Sequence, residues 1–362
     1  MIKEKVNALF ETYGYRKFKM SKFEPYDLYA DNRDFLKSSQ VITFTDLDGS
    51  LLALKPDVTL SIVKANGGGA EKVYYNETVY RPKDNHYREI PQAGAECIGE
   101  IDSYIEGEVI ALAAKAMALI DKDNVVRVSD AAFLQLVFER MQLAPSVVEE
   151  ILGLFSRKNS TGLNDLTEKG KISADDAELL GKLMEIYLPF EKGAALLSQY
   201  AVTDEEKKRA AYLNELISVL DGFGVLSHIF MDFSLVNSMD YDYYNGLIFQ
   251  GAARGIAFPV LSGGRYDRLP EKMGKKVGAI GFALYLDIIE NNLPSLRMYD
   301  ADYLITYTEN DSPATLAATV EKLVANGYGV RTMKETELDR MEYRIRVREI
   351  VSLEKLLKER RL

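Results

Sequence analysis

Glu96 stands among Gly94, Ala95 and Cys97 in an apolar, strand-like run. An unpaired carboxylate is costly in such surroundings, so a ligand or a polar partner is expected beside it. Upstream, Pro56 precedes Asp57-Val58-Thr59 at the start of a helical pattern. There Asp57 and Thr59 suit the capping of first-turn N–H groups, and capping does not exclude holding a ligand. Tyr243, Tyr244 and Tyr266 carry hydroxyls that donate or accept; taken alone they read as core or half-buried aromatics. The chain has two histidines, His86 and His228, too few for a multi-histidine metal site. His228, inside the apolar stretch Val225 to Phe233, reads as a hydrogen-bonded structural residue. The single cysteine, Cys97, excludes an internal disulfide and a cysteine-held zinc. Gly67-Gly68-Gly69 lacks the Lys-Ser/Thr that completes a phosphate loop and reads as a helix end. Lys272 to Lys276 reads as a solvated loop, with anion binding as the alternative.

Elements able to position these residues follow from periodicity. Ile2, Val6, Leu9 and Phe10 predict a first amphipathic helix. Val41 to Leu54 alternates around Asp48-Gly49, a two-residue hairpin signal, and Asp57 to Ala65 is helical. Lys72 to Arg81 and Gln92 to Ile101 predict a long antiparallel hairpin joined by a polar loop, Pro82 to Pro91. From Glu106 to about Val225 the pattern is mostly helical, with a short strand at Val125 to Val128; its part from about 143 to 225 reads as a helical insertion. Strands are predicted at Ile229 to Val236, Leu247 to Gly251 and Ala257 to Leu261, then a glycine-punctuated run, Gly278 to Leu286, leads into a helix. The last segment predicts a small α/β unit: strands Tyr303 to Tyr307 and Gly329 to Met333, helices Pro313 to Asn326 and Ser352 to Arg360. Interleaving without a regular βαβ rhythm points to an α+β fold, a large antiparallel sheet with flanking helices. The expected domains are residues 1–295 and 302–362.

The bulk properties narrow the function classes. At 362 residues and 47% hydrophobic, the chain can bury one large core and a smaller one. Its 45 basic and 55 acidic residues give −10, which works against a protein that must neutralise many phosphates, although charge alone does not reject an RNA partner. No apolar run approaches the roughly 20 residues of a membrane span, and Met1 to Tyr15 lacks a signal-peptide core. A cytoplasmic protein outside the membrane is expected.

Five strings in order add specificity. Leu54-Lys55-Pro56-Asp57-Val58-Thr59 resembles a Leu-Arg-Pro-Glu-Gly-Thr motif of histidyl-tRNA synthetases. Gln92-Ala93-Gly94-Ala95-Glu96, after Tyr80-Arg81-Pro82, is similar to the end of their motif 2. Asp242-Tyr243-Tyr244-Asn245 and Gly263-Gly264-Arg265-Tyr266-Asp267 resemble the two boxes that shape their histidine pocket, and Gly281-Phe282-Ala283-Leu284 the start of motif 3. The resemblance implies a class II aminoacyl-tRNA synthetase-like fold. It also implies that Asp57, Thr59 and Gln92 hold the ammonium and carboxylate ends of a bound histidine, that Glu96 and Tyr244 face its imidazole, and that Tyr243 and Tyr266 line the same pocket.

Against the same pattern, the cations that adenylation requires are missing. The motif 2 arginine falls on Thr78, the motif 3 arginine on Ile288 and the arginine before the Asp-Tyr-Tyr box on Met239; Tyr285 stands where the family has glycine. Losing one preorganised transition-state contact costs roughly 10²–10³ in rate, so losing three should abolish adenylate formation. A histidine pocket without adenylation machinery resembles the regulatory subunits of two-chain ATP phosphoribosyltransferases. That family implies no catalysis and no cofactor, a short-form catalytic chain as partner, homodimerisation, L-histidine as ligand, and end-product inhibition in histidine biosynthesis. A divergent histidyl-tRNA synthetase is the rival; the short final unit argues against tRNA charging. An amino-acid sensor for another pathway is the third possibility.

Overall fold

The computed structural model describes residues 2–33, 35–36, 41–83, 86–237, 241, 243–293, 299–340 and 345–358. They divide into two compact units between Leu293 and Pro294.

In the first unit, α1 (Ile2–Thr12) turns Ile2, Val6 and Phe10 into the core. Then come β1 (Arg16–Lys17), β2 (Phe23–Pro25), α2 (Asp27–Ala30), β3 (Ile42–Thr45) and β4 (Leu51–Leu54). The β3–β4 turn is wider than Asp48-Gly49 alone predicts: Asp46 N–H donates to the Ser50 carbonyl (2.8 Å), and Gly49 takes φ +89°. α3 (Thr59–Ala65) starts where the Asp57 carboxylate accepts from Leu60 N–H (2.9 Å). It ends against the Lys275 ammonium, which donates to the carbonyls of Val63, Lys64 and Asn66. Lys275 is therefore a helix C-cap, where a cation also meets the negative end of the helix dipole.

β5 (Glu71–Lys83) and β6 (His86–Gly99) form the predicted hairpin, but the strands run through most of the segment read as loop, with Lys83 opposite His86. α4 (Ser103–Ala118) is capped by Asp102, which accepts from Ile105 N–H. It buries residues on all sides, the mark of a central helix, and each fully buried Val, Ile or Leu contributes about 1.5–3 kcal/mol. Gly107 leaves room for Val219, and Gly251 for the Met117 sulfur, so no Cβ fits at either contact.

After β7 (Val125–Asp130) come α5 (Ala131–Arg140), α6 (Pro145–Phe155), α7 (Thr161–Glu168), α8 (Ala174–Met184), β8 (Tyr187–Pro189), α9 (Phe190–Tyr200) and α10 (Asp204–Gly222). Capping boxes open α8 (Ser173 with Asp176) and α10 (Thr203 with Glu206). Helical periodicity does not predict β8, a short strand that pairs with β9 (Ile229–Asp232). β9 stops earlier than expected because the Asp232 carboxylate accepts from Ser234 N–H (3.0 Å) and starts a 3₁₀ turn. β10 (Leu247–Ala252), β11 (Leu261–Arg265) and β12 (Gly278–Tyr285) complete the sheet. β11 lies later than the predicted Ala257 to Leu261. Pairing on both sides requires Gly263 and Gly264 where Phe282 and Tyr244 press against the strand. His228 accepts its structural role: its ring Nδ1 lies 3.0 Å from the Asn124 carbonyl.

The main sheet runs β1-β5-β6-β12-β11-β10-β7-β9-β8, and β2-β4-β3 form a smaller sheet. Among the described residues, β1–β5 and β7–β9 pair in parallel within these two sheets and the other pairings are antiparallel.

Among its described residues the second unit has three parallel strands, β13 (Ala301–Tyr307), β14 (Val330–Lys334) and β15 (Val347–Ser352), in the order β14-β13-β15. Ile305 and Val351 pack with Leu323 of the helix Pro313–Ala325 and with Leu353 and Leu356 of the helix Leu353–Lys358. β15 was not visible in the sequence pattern, where Arg348 and Glu349 interrupt its apolar residues.

Candidate functional site

A cavity of about 990 Å³ opens on one face of the main sheet. Side chains alternate along a strand, so Gln92, Gly94 and Glu96 of β6 share that face, opposite Tyr285, Ala283 and Gly281 of β12. The small residues make a floor into which larger groups fold. Tyr75 lies across Gly94, and the Glu96 carboxylate lies directly on the Cα of Gly281, where any Cβ would collide with Oε2. Tyr244 presses on Gly264, which a Cβ would meet at 2.6 Å.

Glu96 is the polar centre. It is 2% exposed, its Oε1 accepts from the Thr59 hydroxyl (2.9 Å) and its Oε2 from the Tyr266 hydroxyl (2.5 Å). Burial pushes its carboxyl up to about 8, with the nearby Asp57 charge adding to the rise and the hydrogen bonds from Tyr266 and Thr59 opposing it. Burial likewise holds the Tyr75, Tyr243 and Tyr266 phenols well above their ordinary range. Tyr243 packs edge-on against Tyr244 (4.6 Å between ring centroids) and Phe35 (5.5 Å), and lies tilted to Tyr266 (5.7 Å).

All seven residues singled out in the sequence, Asp57, Thr59, Gln92, Glu96, Tyr243, Tyr244 and Tyr266, line this one cavity. Asp57 and Thr59 are more engaged than expected. Thr59 orients Glu96, and Asp57 caps α3 while facing the Arg81 guanidinium at 3.7 Å. Met239 and Asp242 lie outside the described residues. Asn245 and Asp267 have structural tasks: they exchange hydrogen bonds (Asn245 Nδ2 to Asp267 Oδ2, 3.2 Å; Asp267 N–H to Asn245 Oδ1, 2.9 Å) and fix the two tyrosine-bearing loops together.

Sequence reasoning missed several wall residues. Tyr75 reads as an ordinary strand aromatic, and Ser262 carries no motif signal, yet its hydroxyl meets that of Tyr285 at 2.5 Å. The mouth is formed by α5, α6 and their connection, through Gln135, Phe138, Glu139, Gln142, Ser146 and Glu149. Lys55, within the same motif as Asp57 and Thr59, is 1% exposed and paired with Glu77.

Charge decides what the cavity can accept. Among its described lining residues Asp57, Glu96, Glu139 and Glu149 are acidic, and Arg81 is the one Lys or Arg. Arg81 is itself engaged, donating from Nε to the Pro56 carbonyl (2.7 Å) and pairing with Asp57. Such a lining is a poor host for a triphosphate, which needs several fixed cations. Among the described residues no cluster of His, Cys, Asp and Glu could hold a metal ion.

The antiparallel sheet with its cavity, flanking helices and separate α/β unit defines a class II aminoacyl-tRNA synthetase-like protein. A family model described as histidyl-tRNA synthetase matches residues 1–289. A structure described as an ATP phosphoribosyltransferase regulatory subunit/histidyl-tRNA synthetase from Bacillus halodurans superposes with TM-score 0.78 at 22% identity, over 97% of this chain and 92% of that one. A chain of the ATP phosphoribosyl transferase (HisG:HisZ) complex from Thermotoga maritima superposes with TM-score 0.62 at 16% identity, over 79% and 96%. The ATP phosphoribosyltransferase regulatory subunit of Thermoanaerobacter pseudethanolicus is 30% identical over 328 residues, 85% of this chain and 83% of that protein. The chain belongs to the histidyl-tRNA synthetase-like family of ATP phosphoribosyltransferase regulatory subunits.

Proposed function

We propose that this chain is the non-catalytic regulatory subunit of ATP phosphoribosyltransferase, acting in the cytoplasm in histidine biosynthesis, and that its cavity binds L-histidine. It joins a short-form catalytic chain, activates it by assembly and carries inhibition by the end product. Residues 1–295 form the histidine-binding domain, which homodimerises, and residues 302–362 a separate small domain. Relatives bearing the regulatory-subunit name, together with the complex in which a similar fold occurs, support the assembly.

The observation that carries the ligand reading is a buried carboxyl bonded by two hydroxyls in a cavity whose described lining holds one cation, Arg81. Glu96 and Tyr244 serve the imidazole, whose two nitrogens need one donor and one acceptor opposite them. Asp57 and Gln92 serve the ammonium and carboxylate ends, and Thr59 acts by orienting Glu96. Discrimination comes from the buried groups that an apolar competitor would leave unpaired. For inhibition, histidine must favour one state of the assembly over another, typically by about 1–3 kcal/mol.

Calorimetric titration of the purified chain, with L-histidine and separately with ATP and magnesium, tests this reading. Histidine binding without ATP binding is the expected outcome. ATP binding, or pyrophosphate exchange dependent on histidine, would restore the synthetase reading instead.

A further inference from the structure

Beneath the cavity a partly buried polar chain, anchored on the buried Glu106 and Asp130, joins α10 to both of the cavity's walls. Glu106 of α4 is 0% exposed; its Oε2 accepts from the Tyr212 hydroxyl of α10 (2.5 Å), and its Oε1 lies 3.7 Å from Arg265 Nη1. Arg265 Nε donates to Asp267 Oδ2 (2.8 Å), and Asp267 Oδ1 accepts from Ala279 N–H (2.9 Å). Asp267 and its partner Asn245 directly follow the cavity residues Tyr266 and Tyr244. A second branch leaves the same helix. Arg209 Nε donates to Asp130 Oδ2 (2.7 Å), and Asp130 Oδ1 accepts from Phe133 N–H to cap α5, which carries Gln135, Phe138 and Glu139 to the mouth. At the far end of α5, Arg140 Nε donates to Glu206 Oε1 of α10 (2.7 Å).

We infer that α10 is coupled to the occupancy of the cavity through these two branches, from Tyr212 by way of Glu106, Arg265 and Asp267 to Asn245, and from Arg209 by way of Asp130 to α5. Glu106, Arg265 and Tyr212 are positioning residues for the tyrosine-bearing loops. The inference rests on histidine being the ligand of the cavity.

Satisfaction within the chain is incomplete. Glu106 Oε1 and one terminal nitrogen of Arg209 are buried with no hydrogen bond. Buried polar groups held this way interact strongly, and a small shift that completes their bonds gains more than it would in a satisfied network. A ligand that fixes Tyr244 and Tyr266 thereby favours one arrangement of Arg265 and, through Glu106, of α10. A cluster serving only as internal cement would hold α10 equally with the cavity filled or empty.

Hydrogen exchange of the full chain with and without L-histidine separates the two, combined with calorimetry on Tyr212→Phe and Asn214→Ala. Tyr212→Phe removes one hydroxyl from the chain. Asn214→Ala loosens α10 from Ser198 of α9 without touching it. Histidine is expected to slow exchange along residues 209–216, and Tyr212→Phe to lose that protection while binding histidine about three- to tenfold more weakly. Asn214→Ala keeps histidine affinity within about twofold. An α10 indifferent to histidine, or full affinity in Tyr212→Phe, overturns the coupling and leaves the histidine reading standing. Failure of the unaltered chain to bind histidine overturns both.

Discussion

At the inner end of the cavity Glu96 has both oxygens engaged, and its carboxylate rests on a glycine with no room for a methyl group. At the mouth, Glu139, Gln142 and Glu149 are exposed on α5, α6 and the turn between them. The inner end is fixed by contacts across four sheet strands and one helix start, so displacing one atom there moves several others. The mouth is fixed by helices whose polar side chains meet solvent, where charge acts through screening water and substitution is tolerated. The proposed selectivity for histidine is therefore expected to lie at the inner end.

The sharpest way to break this contrast is Gly281→Ala. Its methyl group would occupy the place of Glu96 Oε2. Overpacking of this kind costs about 1–3 kcal/mol, and histidine binding should be lost with the displaced carboxyl. Thermal unfolding and calorimetry report the two effects; a variant that binds normally would show that Glu96 is dispensable.

Glu96→Gln acts next, through pH. In the folded chain Glu96 titrates at about 8, against 4.5 for an ordinary glutamate. Between those values the folded state holds a proton that the unfolded state has released. Stability from this group is thus complete below the ordinary carboxylate value and falls as pH rises through about 8. Urea midpoints from about pH 5 to about pH 9 should decline for the natural chain and flatten for Glu96→Gln. Equal slopes would mean that Glu96 is ionised throughout.

Gln142→Gly should have the smallest effect and opposite sign. Gln142 holds φ +53°, left-handed backbone that glycine adopts without strain. Relief of that strain, offset by greater freedom in the unfolded chain, should stabilise by about 0.5 kcal/mol and leave histidine affinity unchanged. A large loss of affinity would show that the mouth takes part in selection after all.

Much of this arrangement was legible. The hairpin that carries Gln92 and Glu96 follows from alternation, and the ordered motifs placed seven residues that now surround one cavity. β8 escaped because three residues inside a helical span carry no period of their own. β11 begins later than alternation predicts because Gly263 and Gly264 carry no strand signal of their own, and it is Phe282 and Tyr244 pressing against them that requires glycine there. Lys275 looked like part of a solvated loop because its partners, carbonyls more than two hundred positions away, leave no mark on the local pattern.

The sequence by itself determined the types of most elements, the class of fold and the residue types at the cavity floor, since period, capping and turn chemistry are local and motif order survives any packing. Only the tertiary structure decided that Thr59 spends its hydroxyl on Glu96, that Arg81 is tied to Asp57 and Pro56, and that Glu106 links α10 to the loops bearing Tyr244 and Tyr266. Hydrogen bonds between distant residues depend on distances of a few ångströms, and those are set by how the sheet and helices close on one another.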